Sequence, residues 1–326
     1  MLRHIILVGL ITSAFATKLS YKNYKVYRII PGSERDLKLL NKLEEKGFSY
    51  WRSPSRTMQS VDLMVAPEKF SYFEKFMGDH RMKFQLIVKD VQQLIDQENP
   101  PREKRSLYNN GTLNLNQYHT LDEMYKWFHD LEKRYPNKVE ILVGGKSYDG
   151  LEIKGVHINH GADKPAIFLE GGIHAHEWIS PATIICLTKW ILKTTDYKIR
   201  QIIESYNWYM FPVVNPDGYV YTFEVDRFWR KNRSKNNSTE CVGTDLNRNW
   251  NYHWDEAEME SQDPCSDSYK GSEPFSEIET STLSQFIKSI SEKIEFYIPF
   301  HSYGHYLLFP QSSTEKLQKT YKRYVS

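Results

Sequence analysis

A chain of 326 residues, 40% hydrophobic and 14% aromatic, is long and apolar enough for about two domains of ~150 residues each, which excludes a disordered protein. Its 43 Lys and Arg nearly balance 41 Asp and Glu, for a net charge of +2. Such a chain has no single-sign field to draw in DNA or RNA, and no nucleic-acid partner is predicted.

The N-terminus places Arg3 and His4 before an apolar run from Ile5 to Ile11 and ends in Ala14-Phe15-Ala16. Basic flank, short apolar run and small-x-small site together predict a signal peptide over 1–16 and an extracellular protein. A membrane-spanning helix needs about 20 apolar residues, which no stretch supplies, so no membrane association is expected. Of the three cysteines, Cys186 lies in the apolar run ATIICLTKWIL and reads as a buried small hydrophobe. The loop-borne Cys241 and Cys265 are then the expected disulfide, although an odd count does not fix the pairing by itself.

Residues 17–105 alternate strand-like YKVYRII, helix-like SERDLKLLNKLEEKG, VDLMVA, PEKFSYFEKFM, MKFQLIV and KDVQQLIDQ. That alternation predicts a small α+β open sandwich. The joint ENPPREKRSLYNN follows, with two prolines and a basic cluster. Exposed basic segments of this kind invite trypsin-like cleavage, here after Arg105.

From Ser106 to Ser326 the alternation is longer. Thr120-Leu-Asp-Glu123 reads as a capping box opening the helix LDEMYKWFHDLEKRY. VEILVGGKSYDGLEIKGVHIN predicts a hairpin turning at Asp149-Gly150. KPAIFLE reads as a strand, and a helix is predicted from Ser180 as N-cap with Pro181 in its first turn. Strand NWYMFPVV should end in an Asn215-Pro-Asp-Gly218 turn. Helix SEIETSTLSQFIKSISEK and strand IEFYIPF complete the pattern. The fold class is α/β, a parallel or mixed central sheet flanked by helices, and in such sheets ligands gather where strands end.

His174 and Glu177 follow the strand AIFLE, and His301 follows IEFYIPF. Ligands at the ends of neighbouring strands can converge, and catalytic zinc takes three protein ligands and leaves one position open. His176 suggests a competing two-metal His-x-His-x-Asp-His pattern. Trp178 and Ile179 stand where that pattern needs its acid and third histidine, and the helical His-Glu-x-x-His of other metalloproteases is absent.

Separate motifs in the family order make the chain resemble the zinc carboxypeptidases of the pancreatic A/B type in their procarboxypeptidase form. GGIHAHEW is similar to the first metal motif and FHSYG to the second, which implies one Zn2+ per chain on His174, Glu177 and His301. FWRKNRS resembles the segment whose arginine, here Arg230, polarises the scissile carbonyl. GTDLNRNW resembles the segment whose Asn247 and Arg248 grip the terminal carboxylate of a peptide or protein substrate, and guanidinium is suited to such bidentate pairing. The resemblance also supports Cys241–Cys265, makes 17–105 an activation domain and 106–326 a catalytic domain, and implies a trypsin-like activating protease.

Two departures stand out. The family's proton-transferring glutamate lies well downstream of its last zinc histidine, whereas after His301 this sequence offers only Glu315, in a polar stretch. The catalytic domain is therefore read as missing its C-terminal part, with a catalytically inactive zinc-containing binder of peptide C-termini, or an incomplete gene product, as alternatives. The second departure is His176, which occupies a place the family usually gives to a substrate-contacting arginine, and it is left out of the site. Sequons at Asn110, Asn232, Asn236 and Asn237 fit secretion, and the one at Asn232, beside Arg230, is expected to stay unused.

Overall fold

The computed structural model describes residues 18–44, 46–98, 108–109, 112–236, 239–255, 261–304 and 306–308. Residues 1–16, Arg105, Asn110, Asn237 and Glu315 lie outside them, and with them the expected signal peptide, activation cleavage and two sequons. The chain divides into two compact units, split between Ser106 and Leu107.

In the first unit, β1 (Lys25–Ile29), β2 (Ser49–Arg52), β3 (Val61–Val65) and β4 (Phe84–Val88) form a sheet of order β2-β3-β1-β4, antiparallel throughout. Helices α1 (Glu34–Glu44) and α2 (Phe70–Asp79) present Leu40, Leu43, Phe73 and Met77 to Ile29, Leu63 and Val65 of the sheet. The i, i+3 and i, i+4 spacings put each helix's apolar side chains on one face. Helix α3 (Val91–Glu98) closes the unit. Strand β2 is an addition to the predicted elements, its residues SYWR being too short a run to read from pattern alone.

The second unit opens with the two-residue strands β5 (Tyr108–Asn109) and β6 (Thr112–Leu113). Helix α4 (Leu121–Arg134) follows, and the predicted capping box closes it reciprocally: the Glu123 amide donates to Thr120 Oγ1 and the Thr120 amide to Glu123 Oε2. Strands β7 (Val139–Lys146), β8 (Glu152–Ile158), β9 (Ala166–Glu170), β10 (Asn207–Phe211) and β11 (Ile294–Pro299) build a five-stranded sheet of order β11-β9-β10-β8-β7. β8 runs antiparallel to β7 and β10, and β9 runs parallel to β10 and β11, so the sheet is mixed. Helices α5 (Ile179–Lys193), α6 (Tyr197–Ile203), α7 (Pro216–Glu224) and α8 (Ile278–Ile290) complete the unit.

Alternation along β9 and β10 divides the core between the two faces of the sheet. Leu169 and Met210 join Met124, Phe128, Ile184 and Tyr219 on one side; Phe168, Tyr209 and Phe211 join Leu283 and Phe286 of α8 on the other. Helices on both faces of a partly parallel sheet match the predicted class.

Three local expectations are corrected. α5 begins at Ile179, one residue before Ser180, whose hydroxyl instead accepts the Gly172 amide at 2.9 Å. The Asn215-Pro-Asp-Gly218 segment opens α7: Asn215 caps it by accepting the Gly218 amide, and Pro216 takes the first turn, where its missing N–H is no loss. Cys186 is exposed, because it lies on the face of α5 opposite Ile184, Ile185 and Thr188.

Candidate metal centre

The parallel register sets Glu170 of β9 beside Phe211 of β10 and Pro299 of β11. The C-terminal ends of three adjacent strands thus meet at one edge, and the chain leaves each of them to build the site. After β9 it turns sharply through Gly171 and Gly172. Gly172 has φ +63°, and a Cβ there would sit 3.0 Å from the Pro212 carbonyl oxygen, so only glycine fits both the backbone and the space. The Gly171 amide donates to Phe211 O, Val214 N to Gly171 O, and Phe300 N to Glu170 O. These bonds hold the three exits together.

On them the three predicted ligands converge. His174 Nδ1 lies 2.8 Å from Glu177 Oε1, and His301 Nδ1 lies 3.1 Å from both His174 Nδ1 and Glu177 Oε2. Zinc in a tetrahedral site, with bonds of about 2.0–2.1 Å, holds its ligand atoms roughly 3.3 Å apart. Three donors already at nearly that spacing, two of them imidazole nitrogens and one a carboxylate oxygen, fit zinc by geometry and by chemistry. Among the described residues this is the group of three or more His, Cys, Asp or Glu gathered tightly enough to hold a metal. His174 and Glu177 are buried, while the His301 side chain keeps 32% of its surface exposed, which leaves one side open to a ligand. Burial disfavours the ionised form of Glu177, but hydrogen bonds from His174 and His301 outweigh it and hold the carboxyl well below the usual range. The oxygens are therefore charged and available to a cation.

Behind the ligands stands Asp245, a residue the sequence reading passed over. Its fully buried carboxylate lies 3.2 Å from His174 Nε2 through Oδ1, and its Oδ2 accepts Arg230 Nε at 3.1 Å and Nη2 at 2.8 Å. Carboxylates that orient a metal-binding imidazole through its second nitrogen are a recurring device. Here the same group also holds the predicted oxyanion arginine. Burial opposes the charge on Asp245, yet Arg230 and His174 more than offset it, and the carboxyl sits far below its ordinary range. The only sequence signal was position: Asp245 is the N-cap of the turn 246–248, accepting the Asn247 amide at 2.9 Å.

Asn247 and Arg248 occupy that turn, half-buried, with Arg248 Nη1 donating to Asn247 O. The Arg230 segment is tied to the metal loop by Ala175 N to Arg230 O, 3.0 Å, and by Asn215 Nδ2, which donates to both Ile173 O and Lys231 O. His176, between the ligand candidates His174 and Glu177, is half-buried. Its Nδ1 finds no partner among the described residues, and burial pushes its ring down to about 3. Cys241 and Cys265 form the disulfide, with Cα atoms 5.1 Å apart. Asn232 is fully buried, so its sequon is closed to modification in the folded chain.

A mixed α/β sheet bearing a mononuclear His, Glu, His donor set at its strand ends, with an arginine beside it, describes the class of mononuclear zinc hydrolases. Comparison with known proteins narrows this. Residues 124–326 match the zinc carboxypeptidase family and residues 27–98 the carboxypeptidase activation peptide. The chain is 40% identical over 296 residues to zinc carboxypeptidase A 1 of Anopheles gambiae, covering 90% of this chain and 67% of that protein. It is 35% identical over 297 residues to carboxypeptidase A2 of Mus musculus, covering 88% and 70%. Among solved structures, thrombin activatable fibrinolysis inhibitor superposes with a TM-score of 0.82 at 30% identity, covering 93% of this chain and 77% of that one. Carboxypeptidase A from Helicoverpa armigera gives 0.77 at 29%, covering 88% and 71%. The chain spans about two thirds of the length of the mosquito relative.

The chain belongs to the zinc carboxypeptidase family. Members are hydrolases with Zn2+ as cofactor, and the first unit corresponds to their activation peptide.

Proposed function

We propose that the chain is secreted as a zymogen, is cleaved after Arg105 by a trypsin-like protease, and removes C-terminal residues from peptides and proteins. The observation that carries this is the meeting of His174 Nδ1, a Glu177 oxygen and His301 Nδ1 at ligand spacing, beside the half-buried Arg230 paired with the buried Asp245. Zinc held there would acidify a bound water and polarise the scissile carbonyl. Arg230, steered by Asp245, donates to the carbonyl oxygen as charge develops on it. Asn247 and Arg248 grip the substrate carboxylate, and the fixed distance from that grip to the ligand set confines cleavage to the last peptide bond.

The acids nearest the ligand set are enclosed: Glu170 is 3% exposed and Asp245 0%. Neither is open to solvent, so proton transfer is assigned to a carboxylate other than these two. That same observation favours a second reading, a protein that holds zinc and captures C-termini without cutting them.

The test is expression from Thr17, trypsin treatment, and exposure to a peptide and its C-terminal amide with zinc present. Release of the last residue from the free acid alone supports the peptidase. Binding of the free acid without release supports the capture reading. Equal handling of acid and amide contradicts both.

A further inference from the structure

Asn232 is 0% exposed, and every one of its polar positions is used. Its Nδ2 donates to Glu277 Oε2 at 2.7 Å and to Glu279 Oε2 at 3.1 Å. Its Oδ1 accepts the Thr244 amide at 2.7 Å and Ser234 Oγ at 3.1 Å. Its backbone amide donates to Thr244 O at 3.1 Å, and its carbonyl accepts Trp229 Nε1 at 3.1 Å. A primary amide has two donor protons and two acceptor lone pairs, and here all four are matched.

The partners define what this residue joins. Arg230 lies two positions before it. Thr244 immediately precedes Asp245, whose carboxylate touches both Arg230 and His174. Glu277 and Glu279 mark the start of α8, and Glu279 Oε1 in turn accepts the Tyr148 amide from the β7–β8 turn. One side chain therefore sets the spacing between the Arg230 segment and the Asp245 turn and fixes both to the rigid body of the sheet and α8. Displacing the Thr244 amide would move Asp245, and with it the carboxylate that orients His174 Nε2 and Arg230.

We propose that Asn232 is a positioning residue of the metal centre, acting through Thr244 and Asp245 on the orientation of His174 and Arg230. The part concerning Arg230 rests on the peptidase reading above; the part concerning His174 rests on the geometry of the ligand set alone.

The chemistry suggests a reversal test. Asn232→Asp keeps shape and the Thr244 contact but sets a third carboxylate against Glu277 and Glu279. When Asn232→Asp is combined with Glu279→Gln, the amide introduced at position 279 donates to the carboxylate introduced at position 232, while its oxygen still accepts from Tyr148. One bond is thereby restored with donor and acceptor exchanged. Zinc affinity of each full-length protein from Thr17 is measured by competition with a chelating dye, alongside thermal melting and, on an active parent, kcat and KM. The single variant should bind zinc roughly 10- to 100-fold more weakly and lose kcat with little change in KM, while still melting cooperatively. The double variant should recover most of the zinc affinity. A folded single variant with parental zinc affinity, or a loss that the second change does not restore, overturns the proposal. If the single variant does not melt cooperatively, Asn232→Ala takes its place, and parental zinc affinity there overturns the proposal equally. A parent that turns over no peptide refutes the peptidase reading while the zinc measurements still decide the role of Asn232.

Discussion

Asp245→Asn keeps the volume of a fully buried side chain and removes its charge. The carboxylate accepts Arg230 Nε and Nη2, the Asn247 amide, and a contact with His174 Nε2. An amide in its place can present its oxygen to Arg230 or to His174 but not to both, and the guanidinium loses its counter-charge. Breaking a buried pair from one side costs about 3–5 kcal/mol. The Arg230 side chain retains 22% exposure, so water takes up part of its charge, and a loss of roughly 2–3 kcal/mol is expected. Zinc affinity should fall about 10- to 100-fold, because His174 loses the group that orients it. Because Asp245 is held far below the ordinary carboxylate range, its contribution is present above the unfolded pKa and disappears only as pH falls through the folded one. The gap between parent and variant should therefore persist at neutral pH and close in acid. Urea unfolding at several pH values with zinc titration measures both effects. A variant with parental stability and parental zinc affinity would refute the claim that Asp245 links the arginine to the metal ligands.

Arg248→Ala should raise KM for a free-acid peptide by roughly 100-fold, about two charge-assisted hydrogen bonds, and leave zinc content untouched; steady-state kinetics with metal analysis separates the two. Cys265→Ser opens a disulfide of sequence separation 24 and should cost about 3 kcal/mol, read as a lowered Tm that reducing agent no longer changes. The Glu279 carboxyl is pushed up to about 7, chiefly by burial. An acid raised in this way contributes stability that is full below its unfolded pKa near 4.5 and lost as pH rises through about 7. Glu279→Gln should therefore flatten the decline of stability over that range by roughly 3 kcal/mol, with the part due to Glu170, also pushed up to about 7, left in place. An unchanged pH slope would contradict the assignment.

Periodicity made the sheet and its helices legible because burial on one face leaves a repeating trace: Leu40 and Leu43 on α1, Phe168 against Leu169 on β9. The convergence of His174, Glu177 and His301 was legible because all three follow apolar strands, and rigid strand ends bring distant residues together. The misread positions were settled by tertiary contacts. Ser180 looks like a cap until Gly172 claims its hydroxyl. Asn215-Pro-Asp-Gly218 has turn composition, yet its polar side chain serves a helix start and two carbonyls at once. Cys186 has apolar neighbours in sequence, but the helix turns it outward. Asp245 showed only a cap position and Asn232 only a sequon, because the role of a buried polar group is set by its partners, some of which lie 71 and 45 residues away in the chain.

Zinc content and coordination test the central claim most directly. X-ray absorption on the purified chain should show one zinc with two imidazole nitrogens and a carboxylate oxygen among its ligands, and His301→Ala should abolish stoichiometric binding. A protein without stoichiometric zinc, or one whose zinc is indifferent to His301, would contradict the account.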